Sequence, residues 1–137
     1  SWSVLEILEH ICLTDKAIFN IISQPPAELS STNEIIGDNL LKIFLVDQRK
    51  QRKYAAPESL EPKGSIKDWQ EFEKLFLFQR ETLKNNLKTG KLVVDNRMYK
   101  HPYMNNITIS DWLNSIIYHA QRHLEQIKDR LKKITEL

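Results

Sequence analysis

His119 and His123 are four residues apart, a spacing that stacks two side chains on one helix face with Cβ atoms roughly 5–6 Å apart. From there both imidazoles can reach one ion at about 2.0–2.1 Å. Ile116, Ala120 and Ile127 flank the pair, so it is expected to face the inside of a bundle rather than water. His10 follows Ile7 by three residues and precedes Ile11 by one, on the inward side of a first helix, where it can add a third nitrogen. Three neutral imidazoles leave a tetrahedral ion with one open position, the pattern of catalytic sites rather than closed structural ones. Such a centre acidifies a water or holds a substrate oxygen or thiolate as the reactive species. Imidazole suits zinc, nickel, copper and iron alike. The plainer alternative is also open. Pairs of this spacing occur on helices by chance, and histidines beside a core often only hydrogen-bond a carboxylate or carbonyl.

Helices must carry these residues. The chain has three glycines and five prolines in 137 residues, and they fall between periodic segments, which favours long helices over short strands. Ser3 and Glu6 have the spacing of a capping box, with Trp2 and Ile7 placed as a hydrophobic staple. Val4, Leu8, Ile11, Ile18 and Ile22 then mark an apolar face that Pro25-Pro26 stops. A second, shorter helix is expected from about Asn33 to Arg52, capped by Ser31 and Glu34. An ordered connector follows, from Tyr54 to Ser65, with Pro57, Pro62 and Gly64. A third helix opens near Asp68 and closes near Gly90, presenting Trp69, Phe72, Phe76, Leu83 and Leu87. Between Lys91 and Ile107 the periodicity fails. Leu92-Val93-Val94 could be extended there, but a single run makes no sheet. The last helix runs from about Ser110 to the C-terminus. Its seam is Leu113, Ile116, Ile117, Ala120, Leu124, Ile127, Leu131 and Ile134, suited to helix–helix packing.

Composition bounds the partners. Hydrophobic residues make up 41% and charged residues 28%, with a formal net charge of +2, values ordinary for one soluble domain spanning residues 1–137. A nucleic-acid binder would concentrate more positive charge. The basic run Gln48–Tyr54 reads as a solvated helix end, favoured by the helix dipole. No apolar run approaches the roughly 20 residues that span a bilayer. The single cysteine, Cys12, excludes an intramolecular disulfide, so a reducing cytoplasm is the simplest home. It lies on a different helix face from His10 and is expected to be buried and inert. The chain opens on Ser1 rather than Met, and something upstream is expected to have been removed.

Around the histidines, Gln126 follows His123 by three residues and can orient it as an acceptor. Tyr118 and Arg122 flank the pair and could meet a substrate or simply form the rim. His101 precedes Pro102, which biases it toward extended backbone. Anchoring the loop into the last helix is its expected role, with fourth ligand as the alternative. No glycine-rich phosphate loop or Ser/His/Asp arrangement is present.

The stretch Trp2-Ser3-Val4-Leu5-Glu6-Ile7-Leu8-Glu9-His10 resembles the "WS..E...H" opening of the DinB-like (YfiT-like) metal-binding helical bundles. His101-Pro102 through Ile107-Thr108, then Asp111-Trp112-Leu113, then His119 through Ile127 resemble the family's closing motif. There a His-Pro turn and a "T..EWL" helix start lead into H-x-x-x-H-x-x-Q-I. Ala56-Pro57 and Pro62 resemble the "APe.l.P" connector of one branch. The resemblance implies an all-α fold of the up-down four-helix-bundle type, with metal ligands at His10, His119 and His123. It also implies a further helix before the Trp-Ser motif, which this chain lacks. Residues 33–52 would then be an insertion, and an exposed apolar strip is expected where the missing helix packs, unless a neighbouring chain replaces it in a homodimer.

The activity implied by resemblance is that of a metal-dependent thiol transferase acting on a small-molecule electrophile. Its small thiol would be of the mycothiol or bacillithiol type, and its ion zinc, nickel or iron. A metal-dependent hydrolase is the alternative within the family. A stress-associated binding bundle, holding its metal structurally or holding none, is the alternative outside enzymes.

Overall fold

The computed structural model describes residues 2–31, 57–102 and 104–135. The expected helix 33–52 and the basic run 48–54 lie outside the described residues. Helix α1 spans Val4–Ile22, α2 spans Trp69–Thr89 and α3 spans Ile109–Thr135. Three short strands join them, β1 at Glu28–Leu29, β2 at Arg97–His101 and β3 at Asn105–Thr108, with a 3-10 turn at Glu58–Leu60.

The helix ends follow their local chemistry. Ser3 Oγ accepts from the Glu6 amide at 3.2 Å, and Glu6 Oε1 accepts from the Ser3 amide at 2.9 Å, the reciprocal box the sequence predicts. Asp68 caps α2 by accepting from the Glu71 amide at 2.8 Å. Gly90 closes the same helix in the left-handed conformation at φ +80°, where glycine pays no side-chain penalty. Helix α1 ends at Ile22, three residues before the proline pair.

Helix α1 lies between the other two, packing on α2 along one side and on α3 along the other. Ile7, Leu8, Ile11 and Cys12 meet Ile66 and Phe72 on the α2 side. Ile18 and Ile22 meet Tyr99, Ile107, Ile109, Trp112 and Ile116 on the α3 side. Each aliphatic side chain so buried contributes about 1.5–3 kcal/mol. The seam expected along α3 is buried only in part. Ile116 is buried, whereas Ile117, Leu124, Leu131 and Ile134 are exposed and form an apolar strip at heptad spacing.

The fold is mainly helical, but it also has a three-stranded antiparallel sheet in the order β1-β2-β3. Residues 92–94 are not strand, and Val93 and Val94 are exposed. The strands lie just beyond, where Tyr99 pairs with Ile107 and Met98 with Thr108, and β1 adds the third strand from the segment after the prolines. The sheet fixes one end of the molecule. Tyr99 Oη lies 3.1 Å from the Ile22 carbonyl and 2.9 Å from that of Gln24. The Trp112 indole donates to the Tyr99 carbonyl at 3.2 Å. One residue of β2 thus ties the end of α1 to the start of α3.

Candidate metal centre

Two elements bring the three histidines together. His10 sits in the second turn beyond the capping box of α1, with the Trp2 ring 4.8 Å from its own. Trp2 also packs against the cluster containing Ile7, so the staple residue doubles as a wall for the imidazole. The start of α3 is set by Thr108 and Asp111, both fully buried. The Asp111 amide donates to Thr108 Oγ1 at 3.2 Å, and the Thr108 amide and hydroxyl donate to Asp111 Oδ2 at 3.3 and 3.0 Å. The reciprocal cap therefore begins the helix one residue earlier than expected. About three and four turns on, His119 and His123 meet His10 of α1.

The three Nε2 atoms converge. His10 Nε2 lies 3.1 Å from His119 Nε2, and His123 Nε2 lies 3.0 Å from it. The outer nitrogens are held from behind. His10 Nδ1 donates to the Leu60 carbonyl at 2.7 Å, and His123 Nδ1 donates to Gln126 Oε1 at 2.7 Å. A carbonyl oxygen only accepts, so each of these rings carries its proton on Nδ1 and presents a lone pair at Nε2. His119 can donate to at most one of them. Three nitrogens thus meet with no more than one proton to share, which leaves a lone-pair-rich point.

A cation fits that point. Ligands of a tetrahedral ion at about 2.0–2.1 Å stand about 3.3 Å apart, close to the spacing found here. The ligand atoms of His10, His119 and His123 all lie within 4.8 Å of one another, and no fourth His, Cys, Asp or Glu joins the group among the described residues. Electrostatics favour the neutral, ligating form. Burial holds all three below the usual histidine range. The nearby Arg122 charge adds to the effect, and the bonds from Leu60 and Gln126 oppose it only partly. His123 is pushed down to about 4.

Gln126 takes the orienting position anticipated for it. His101 stays apart, packing against Trp112 at 5.2 Å between ring centroids, with burial pushing it down to about 4. Cys12 is buried, and burial together with the Asp15 charge pushes its thiol up to about 12. It is therefore no nucleophile near neutral pH. Sequence reasoning missed the Leu60 carbonyl, which no side chain signals. It also missed Glu9, a carboxylate buried beside His10 that accepts from three connector amides. Its charged type at a buried helix position was the available clue.

Comparison with known proteins places this architecture. The sequence model of the DinB superfamily matches residues 1–127. The chain belongs to the DinB superfamily. A relative in Bacillus subtilis (strain 168), the uncharacterised protein YuaE, is 26% identical over 135 residues, covering 97% of this chain and 79% of the relative. No solved structure matches. No helix among the described residues is long and apolar enough to cross a membrane.

Proposed function

We propose that this DinB-superfamily chain is a metal-dependent enzyme whose divalent ion is held by His10, His119 and His123, and that it transfers a small thiol onto an electrophile. The observation that carries the reading is the convergence of three Nε2 atoms, two of them locked as acceptors, with no fourth protein ligand among the described residues. A divalent ion with a free position supplies Lewis acidity, making a coordinated thiol or water more acidic. His10 and His123 hold the orientation and tautomer that the ion requires. His119 completes the triangle. Arg122 lies close enough for its charge to act on all three imidazoles, and it would favour an anionic thiolate beside them.

Metal analysis of untagged protein tests the centre. About one equivalent of divalent metal is expected in the wild type and little in His123→Ala, and equal content in both would remove the site. Conjugation of a generic electrophile with several small thiols then tests the reaction. Turnover that needs a thiol and is lost in His123→Ala supports transfer. Thiol-independent hydrolysis of esters or amides would replace it with the hydrolytic reading.

A further inference from the structure

We propose that Glu9 is a positioning residue for the metal centre, acting through residues 60–65 to seat the Leu60 carbonyl on His10; this rests on the metal-site reading above. Glu9 and His10 are consecutive on α1, so their side chains diverge by about 100° around the helix. One grips the connector and the other receives its carbonyl.

The grip has a built geometry. The Lys63 amide donates to Glu9 Oε2 at 2.7 Å, and the Gly64 and Ser65 amides donate to Glu9 Oε1 at 3.0 Å each. Three successive amides can turn to one anion only if the backbone reverses locally, and Gly64 provides this at φ +79°. Glu9 is 3% exposed, so its charge has little water to fall back on and depends on those donors. On the other side of Pro62, the Leu60 amide donates to the Pro57 carbonyl and the Glu61 amide to the Glu58 carbonyl. That turn leaves the Leu60 carbonyl free to accept from His10 Nδ1 at 2.7 Å. Residues 60 and 63–65 therefore bracket one turn of α1, and the carboxylate fixes where the carbonyl falls. Partners behind a ligating imidazole set its tautomer and basicity. Here that partner belongs to a connector, and a charged side chain on the helix holds the connector in register.

The test compares Glu9→Gln, Gly64→Ala and the remote control Tyr99→Phe with the wild type. The readouts are zinc affinity, by competition with a chromophoric chelator, and the His10 tautomer, by ¹⁵N NMR of the metal-free protein. An amide at position 9 offers one acceptor oxygen, and its NH2 faces donors it cannot accept from. Glu9→Gln is expected to weaken zinc binding roughly 10–100-fold and to shift His10 from the Nδ1–H form to a mixture. Nothing lies within 4 Å of a Cβ built on Gly64, so Gly64→Ala loosens the loop by backbone strain alone, and a smaller loss in the same direction is expected. Tyr99→Phe should lower the melting temperature while leaving both readouts unchanged.

Wild-type affinity and tautomer in Glu9→Gln would overturn the proposal, as would losses in Tyr99→Phe equal to those in Glu9→Gln. Should the wild type bind no zinc, the metal reading fails. The NMR arm still decides whether Glu9 sets the His10 tautomer.

Discussion

Arg80 Nε meets Asp15 Oδ2 at 2.9 Å between α2 and α1, and the pair is joined through that one contact. Asp15 is fully buried, and its Oδ1, like Arg80 Nη2, has no partner among the described residues. Burial dominates over the arginine's attraction and pushes the carboxyl up to about 6 from 3.8. The folded protein therefore holds a proton that the unfolded chain has released between pH 4 and 6. The contribution of Asp15 to stability is present at low pH and falls as pH rises through that window, by about 3 kcal/mol at most. Chemical denaturation across pH 4–7 should show this slope in the wild type and lose it in Asp15→Asn. Arg80→Met, which strands the buried carboxylate, is expected to cost about 3–5 kcal/mol at pH 7.

His101 has the opposite sign. Its folded value of about 4 lies below the ordinary 6.5, so the folded state binds fewer protons in between. The stability it contributes is present above pH 6.5 and is lost as pH falls toward 4, by about 3 kcal/mol. His101→Gln should resist acid better than the wild type relative to its own stability at pH 7. Denaturation curves of the two would be parallel across pH 4–7 if this assignment is wrong.

Ligand binding to the folded state alone raises stability by mass action, about 2.7 kcal/mol at a hundredfold excess over Kd. Zinc is expected to raise the melting temperature of the wild type and to give a much smaller rise in His10→Ala, His119→Ala and His123→Ala, each of which keeps two of the three nitrogens. Gln126→Leu should keep the ion with affinity lowered about tenfold, since it removes only the bond behind His123. Thermal shift over a zinc titration separates these classes.

At the end of α2, Gly90→Ala is expected to cost about 1 kcal/mol, because the left-handed φ of +80° is strained for any side chain even where nothing crowds it. A melting temperature equal to wild type would show that the cap relaxes.

The parts of this architecture legible in the sequence are those where one short segment contains its own reason. Ser3 with Glu6 fixes the start of α1, and Asp68 and Gly90 bracket α2. The 119/123 spacing announces the histidine pair. The sheet was not legible. β1 has two residues, too few for any periodicity, and β2 buries both Met98 and Tyr99, so it shows no alternation. Ile117, Leu124 and Leu131 match the seam as well as Ile116 does, and only the placement of α1 decides which of them is covered. The supports of the candidate site divide in the same way. Gln126 follows from helix geometry, whereas Leu60 acts through its backbone and reaches His10 across 50 positions.

The ligand set is split unevenly along the chain. His119 and His123 share one helix, while His10 lies 109 positions before His119. In the proposed centre, the pair can offer two nitrogens as soon as α3 forms, but the third arrives only when α1 docks. The gap between two-ligand and three-ligand affinity is then the energy with which metal draws the first helix onto the last. Comparing the zinc affinity of His10→Ala with that of the wild type would set the two-ligand site against the three-ligand one in the folded protein. The histidines would thus serve as a clasp between α1 and α3 as well as a reaction centre.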